Sequence, residues 1–213
     1  MIVTLFSLFL LPISVLIFYL QNDKSNREHF LLVIFLGAFA GSLFLTYKIL
    51  FPALAFTFTT NFFMNFLYLL FMQVILPIFV PYLILYIFSK DTIKDKVSYF
   101  FPFTASFYAV FLPYLVLEAE KPYTGFLLFI KPLLILSLLI FTHIWLYKYT
   151  SNNVKSISIT ITNFVFLIIA ICMPSIMEAI WITNFSFFTW LIPSLIFFIL
   201  VAILIIPKST IKD

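Results

Sequence analysis

Along the chain, predominantly apolar stretches of bilayer-crossing length recur near residues 2–20, 30–54, 62–88, 99–117, 123–147, 157–178 and 186–206. A helix rises 1.5 Å per residue, so about 20 residues cover a hydrocarbon core of roughly 30 Å. In lipid a lone segment must satisfy its backbone hydrogen bonds internally, which makes helices the expected form of such stretches. The sequence therefore predicts an all-α, polytopic transmembrane helix bundle of about seven spans. Residues 1–213 form a single integral membrane domain in this reading.

Composition leaves little else open. Hydrophobic residues make up 64% and charged residues 9%, whereas a soluble domain is about half apolar and about a quarter charged. A mean hydropathy of +1.20, spread over the whole length, leaves no room for a soluble domain. The net charge of +4 is scattered in short clusters between apolar stretches, which argues against a nucleic-acid partner. Residues 2–20 have no basic segment before them and no small-x-small motif before Gln21, so this stretch is expected to be a retained span rather than a cleaved signal peptide. Cys172, the single cysteine, lies inside an apolar stretch and is read as packing.

The basic residues also set an orientation. Lys24, Arg27, Lys90, Lys94, Lys96, Lys148, Lys155, Lys208 and Lys212 fall on one side of a seven-span chain, and only Lys121 falls in a loop on the other. Short cytoplasmic loops retain positive charge, which predicts an outside N-terminus and a cytoplasmic C-terminus. Aromatic residues near the ends of the stretches, among them Tyr19, Tyr99, Trp145, Tyr147, Tyr149, Trp181 and Trp190, suit the headgroup level.

Within the spans a few residue types stand out. Gly37 and Gly41, four apart and flanked by Ala38 and Ser42, make one face of the second span smooth enough for another backbone to approach, in this chain or a second one. Prolines interrupt nearly every span, including Pro12, Pro77, Pro81, Pro113, Pro132, Pro174 and Pro193. Each frees a carbonyl that a neighbour or a cavity must satisfy. Asn61, Asn65 and Tyr68 form a polar stripe on the third span, with Gln73 deeper, so that face should look into the bundle. Asn65 and Gln73 are candidates either for interhelical glue or for the lining of a substrate path.

The ionisable residues Lys48, Glu118, Lys131 and Glu178 are expected to converge in the outer half, with Glu118 ending the fourth span and Glu178 the sixth. Lys48 and Glu118 can snorkel to the interface. Lys131, about 12 Å along its span, costs up to about 3 kcal/mol if unpaired, so it needs a partner or a wet cavity. Glu178 is the favoured partner, because the fifth and sixth spans are consecutive and joined by a short loop. His143 lies near the inner end of the fifth span, and the only other histidine, His29, lies beside the first cytoplasmic loop rather than within a neighbouring span, so no haem is expected.

No phosphate-binding glycine loop, no His-Glu-x-x-His, no Gly-x-Ser-x-Gly and no paired intramembrane aspartates occur. Asp91 and Asp95 sit among lysines and read as a solvated loop. No metal and no cofactor are expected. The favoured expectation is a small permease or a membrane-embedded subunit of a transport system, of unknown substrate, in a bacterial inner (cytoplasmic) membrane. The alternative is a non-catalytic membrane subunit or scaffold of a larger complex. A third reading is an intramembrane enzyme acting on a lipid-linked substrate, with Glu118 or Glu178 as base and Lys131 holding an anionic headgroup. The expected partners are the lipid bilayer and a second copy of the chain or other membrane subunits.

The orientation is testable directly. Reporters active only in the cytoplasm are expected to give signal when fused after Lys96, Lys155 and Asp213. The same signal from a fusion within residues 118–122 would reverse the assignment.

Overall fold

The computed structural model describes residues 2–21, 27–50, 59–118, 130–151 and 157–183, with 192, 195, 196 and 199, excepting the side chains of 2–8, 21, 27, 116–118, 148, 149, 151, 157–163 and 166. These residues are helical almost throughout, and no strand occurs among them. The elements are α1 (Ile2–Gln21), α2 (Arg27–Leu50), α3 (Phe62–Leu69), a π-helical segment (Leu70–Phe79), α4 (Val80–Phe88), α5 (Ile93–Ser98), α6 (Phe100–Glu118), α7 (Lys131–Ser151) and α8 (Ile157–Ile182).

Two helices among the described residues are long and apolar enough to cross a membrane. They are Glu28–Leu50 and Phe62–Phe88, the latter combining α3, the π segment and α4. Shorter apolar helical stretches run over Phe9–Leu20, Lys131–Tyr147 and Leu167–Ile182. Residues 119–129, and with them the start of the expected fifth span, lie outside the described residues. So does the expected span at 186–206, apart from four helical positions.

Two boundaries differ from the sequence reading. The Lys90–Lys96 stretch is not all loop: Thr92 caps α5 by accepting from the Asp95 N–H at 3.3 Å while donating to the Asp95 carboxylate at 2.5 Å. A polar N-cap with an acid three residues on is enough to nucleate a helical turn. At the other end, α8 does not stop at Glu178 but continues to Ile182, because Ala179–Ile182 contains no helix breaker. Glu178 therefore sits a turn inside its helix.

α6 is the hub. Every residue from Phe100 to Tyr108 is buried, as are Phe111 and Leu112, and α6 packs against α1, α2, α7 and the π segment. α2 meets it along the glycine face. A Cβ placed on Gly37 would run into the Phe103 carbonyl oxygen, and one on Gly41 would stand 2.8 Å from the Phe107 carbonyl oxygen and 3.3 Å from the Val110 Cβ. The partner of the glycine face is thus another helix of the same chain. Beside the seam Phe44 lies against Phe107 and Phe111, with ring centroids 5.6 and 5.1 Å away. The outward face of α2 is apolar and open, with Phe35 67% and Phe39 62% exposed.

Leucine at Gly37 or Gly41 would force two backbones apart. Overpacking of this kind costs about 1–3 kcal/mol per site. The expected outcome for Gly37→Leu with Gly41→Leu is loss of folded, monodisperse protein on size exclusion in mild detergent. Wild-type yield and melting from the double variant would show that the seam does not hold the fold.

Candidate functional site

Apolar surroundings make each buried polar group a demand for a partner, and three of the buried polar side chains, Gln73, Lys131 and Glu178, meet at one place. Its first element is the π segment. Pro77, inside it, has no N–H to give, and in the i→i+5 pattern of a π-helix the carbonyl that would have received it is that of Met72. The Tyr108 hydroxyl, projecting from α6, donates to the neighbouring Gln73 carbonyl. Tyr108 is fully buried, so its phenol finds its partner in that carbonyl.

The Gln73 side chain extends the same contact to α7 and α8. Lys131 Nζ donates to Gln73 Oε1 and to Glu178 Oε1, the latter at 2.8 Å, and the Gln73 side chain is hydrogen bonded to Glu178 as well. An amide carries both donor and acceptor, so it can close a ring with a cation and an anion. Lys131 is 1% and Glu178 2% exposed, which makes this a fully buried ion pair. Of the three ammonium donors, Glu178 and Gln73 take two. Among the described residues no other hydrogen-bond partner of Lys131 is found.

Such a pair is weak evidence for stability. The cost of removing both charges from water is comparable to their attraction, whereas deleting one partner strands the other and costs about 3–5 kcal/mol. One helical turn before Glu178, the Ser175 hydroxyl is buried with no hydrogen-bond partner among the described residues.

The other sequence candidates take different places. Asn65 is fully buried, but its amide is spent locally, accepting from the Thr59 N–H at 3.0 Å and donating to the Thr59 carbonyl at 2.7 Å. It pins the chain leading into α3. Asn61 is exposed and caps that helix, accepting from the N–H groups of Phe63 at 3.0 Å and Met64 at 3.3 Å. Lys48 is half-buried, with Nζ 3.4 Å from the Tyr68 hydroxyl and 5.7 Å from the ring centre. Glu118 ends α6, and its side chain lies outside the described residues. Of the candidates, Lys131, Glu178 and Gln73 are in direct contact.

Sequence reasoning missed Tyr108 and Ser175. A phenol in the middle of a phenylalanine-rich span was a usable signal, since its hydroxyl needs a partner there. Among the described residues no three His, Cys, Asp or Glu side chains come together as a metal set would require. Fold and site define an all-helical bundle closed around a buried, amide-bridged ion pair. Protein-family models, curated proteins and solved structures give no match to the chain.

Tyr108→Phe removes the donor to the Gln73 carbonyl and is expected to cost about 1–2 kcal/mol, read as a lower melting temperature in detergent. An unchanged melting temperature would show that this contact does not hold the π segment to α6.

Proposed function

We propose that the chain is a seven-span integral membrane protein, N-terminus outside and C-terminus in the cytoplasm, acting as a small permease or a membrane-embedded subunit of a transport system. The observation that carries this reading is the buried Lys131–Glu178 pair, bridged by an amide that belongs to a π-helical, proline-interrupted part of the third span. A pair serving only packing could be replaced by apolar side chains at little cost or with gain. Ionisable groups in membrane interiors mark substrate and ion pathways, π-helical turns cluster at functional sites, and transporters build their binding sites where helices are broken.

Exposure supports the membrane setting. Phe35, Phe39 and Phe88 are 67%, 62% and 79% exposed, and Phe35 and Phe39, four residues apart, share one open face of α2. The topology draws support from the ends of the bundle: His29 and Lys90, next to the first two basic loops, share one cavity, while Lys48 and Tyr68 meet toward the other end. A basic side of this kind suits insertion from the cytoplasm, as into a bacterial inner membrane. In the transport cycle the third span would rearrange about its π segment, and Lys131 would present its remaining donor to an anionic group or to water.

The completeness of the ring favours a second reading, a non-catalytic subunit whose pair is glue. Lys131→Met, Glu178→Gln and the two together separate these readings. Each single change should lower folded yield, consistent with about 3–5 kcal/mol for a stranded buried charge, and the double variant should recover it. For a permease the recovered double variant remains inactive in a growth or uptake assay; for glue it regains the phenotype. Negligible effects of both single changes would remove the site altogether.

A further inference from the structure

A proline inside an α-helix leaves the carbonyl four residues earlier without its backbone donor. In α8, an α-helix throughout from Ile157 to Ile182, Pro174 does this to the carbonyl of Ala170. Pro174 is buried and Ala170 is 2% exposed, so the freed carbonyl does not face bulk solvent. Among the described residues no side chain donates to it.

The residue after the proline carries the complementary group. Ser175 is 1% exposed, and its hydroxyl has no hydrogen-bond partner among the described residues. A hydroxyl on a helix ordinarily closes on the carbonyl three or four residues earlier, as Ser42 does on Ala38 at 2.9 Å and Thr183 on Ala179 at 2.8 Å. Ser175 does not. Among the described residues it is the proline neighbour with such an unanswered hydroxyl, and the unanswered carbonyl of Ala170 lies one residue beyond its direct reach. A molecule that both donates and accepts closes that gap. Buried waters take places of this kind, held by two to four polar groups that lack other partners, and in membrane helices ordered water and Ser or Thr side chains serve the carbonyls that proline frees.

We infer that the break in the α8 hydrogen-bond ladder at Pro174 binds one ordered water, which donates to the Ala170 carbonyl and accepts from the Ser175 hydroxyl. Ser175 and Glu178 are three residues apart on neighbouring turns of α8, so the water is a wet point next to the ion-pair ring. The site depends on burial and hydrogen bonding alone, and it stands whether the ring serves transport or packing.

The full chain in mild detergent is melted as the wild type, Ser175→Ala, Pro174→Ala and the double variant. A dry, unanswered hydroxyl is a burden, so without the water Ser175→Ala would raise the melting temperature. With the water held there, the same change removes its anchor and should lower the melting temperature by a few degrees, the scale of one buried hydrogen bond in a chain of this size. Pro174→Ala gives the Ala170 carbonyl a backbone donor, so in that background the loss should be clearly smaller. A rise or no change for Ser175→Ala, or equal losses in the two backgrounds, would overturn the inference. A density map that resolves ordered water decides the matter even if Pro174→Ala does not fold. A water within hydrogen-bond distance of both the Ala170 oxygen and Ser175 Oγ is expected in the wild type and not in Ser175→Ala. A wild-type hydroxyl bonded directly to the Ile171 or Cys172 carbonyl, with no water beside it, overturns the site.

Discussion

A lysine and a glutamate buried to 1% and 2% exposure can exist there only in each other's company. That requirement fixes much of one side of the molecule. The first turn of α7 must lie beside the last turns of α8, and the π segment must turn Gln73 toward both. The contact is not a pair but a ring, since the amide answers the cation with its oxygen and the anion with its N–H groups. Four elements thus meet at a small polar centre inside an otherwise apolar bundle, the fourth being α6 through Tyr108.

The irregular backbone of the third span is tied down in the same way. The Gln73 carbonyl, inside the π segment, accepts from a side chain of another helix, Tyr108. A local defect becomes a tertiary contact, so the position of the π segment depends on α6 as much as on its own sequence. Asn65, by contrast, solves its problem at home by closing on Thr59. Two amides eight residues apart on one span therefore do different work, one organising the way into a helix and one joining three helices.

Periodicity and span length made the helical architecture legible, and the depth of Lys131 marked it as a residue in need of a partner. Glu178 could be chosen because consecutive antiparallel helices are neighbours in space. Long-range partners were not legible. The spacing of Gly37 and Gly41 announced a close contact but did not say with what, and α6 as the other backbone depends on a non-consecutive pairing that no local pattern encodes. Tyr108 was hidden for a related reason: in a chain with 31 Phe and 11 Tyr, one more aromatic ring reads as packing until the backbone carbonyl opposite it is located. The extension of α8 to Ile182 followed from the absence of a stop signal, which a reading based on hydropathy alone overlooked.

The glycine seam also divides the molecule mechanically. Sliding α2 along α6 by one helical turn would bring Val33 or Leu45, four residues from the glycines on the same face, against the Phe103 and Phe107 carbonyls for which Gly37 and Gly41 leave room. The two helices are therefore keyed together. The ion-pair ring is carried by other elements, α7, α8 and the π segment. Tyr108 is the residue that joins the two parts, since it belongs to α6 and its hydroxyl holds the π segment.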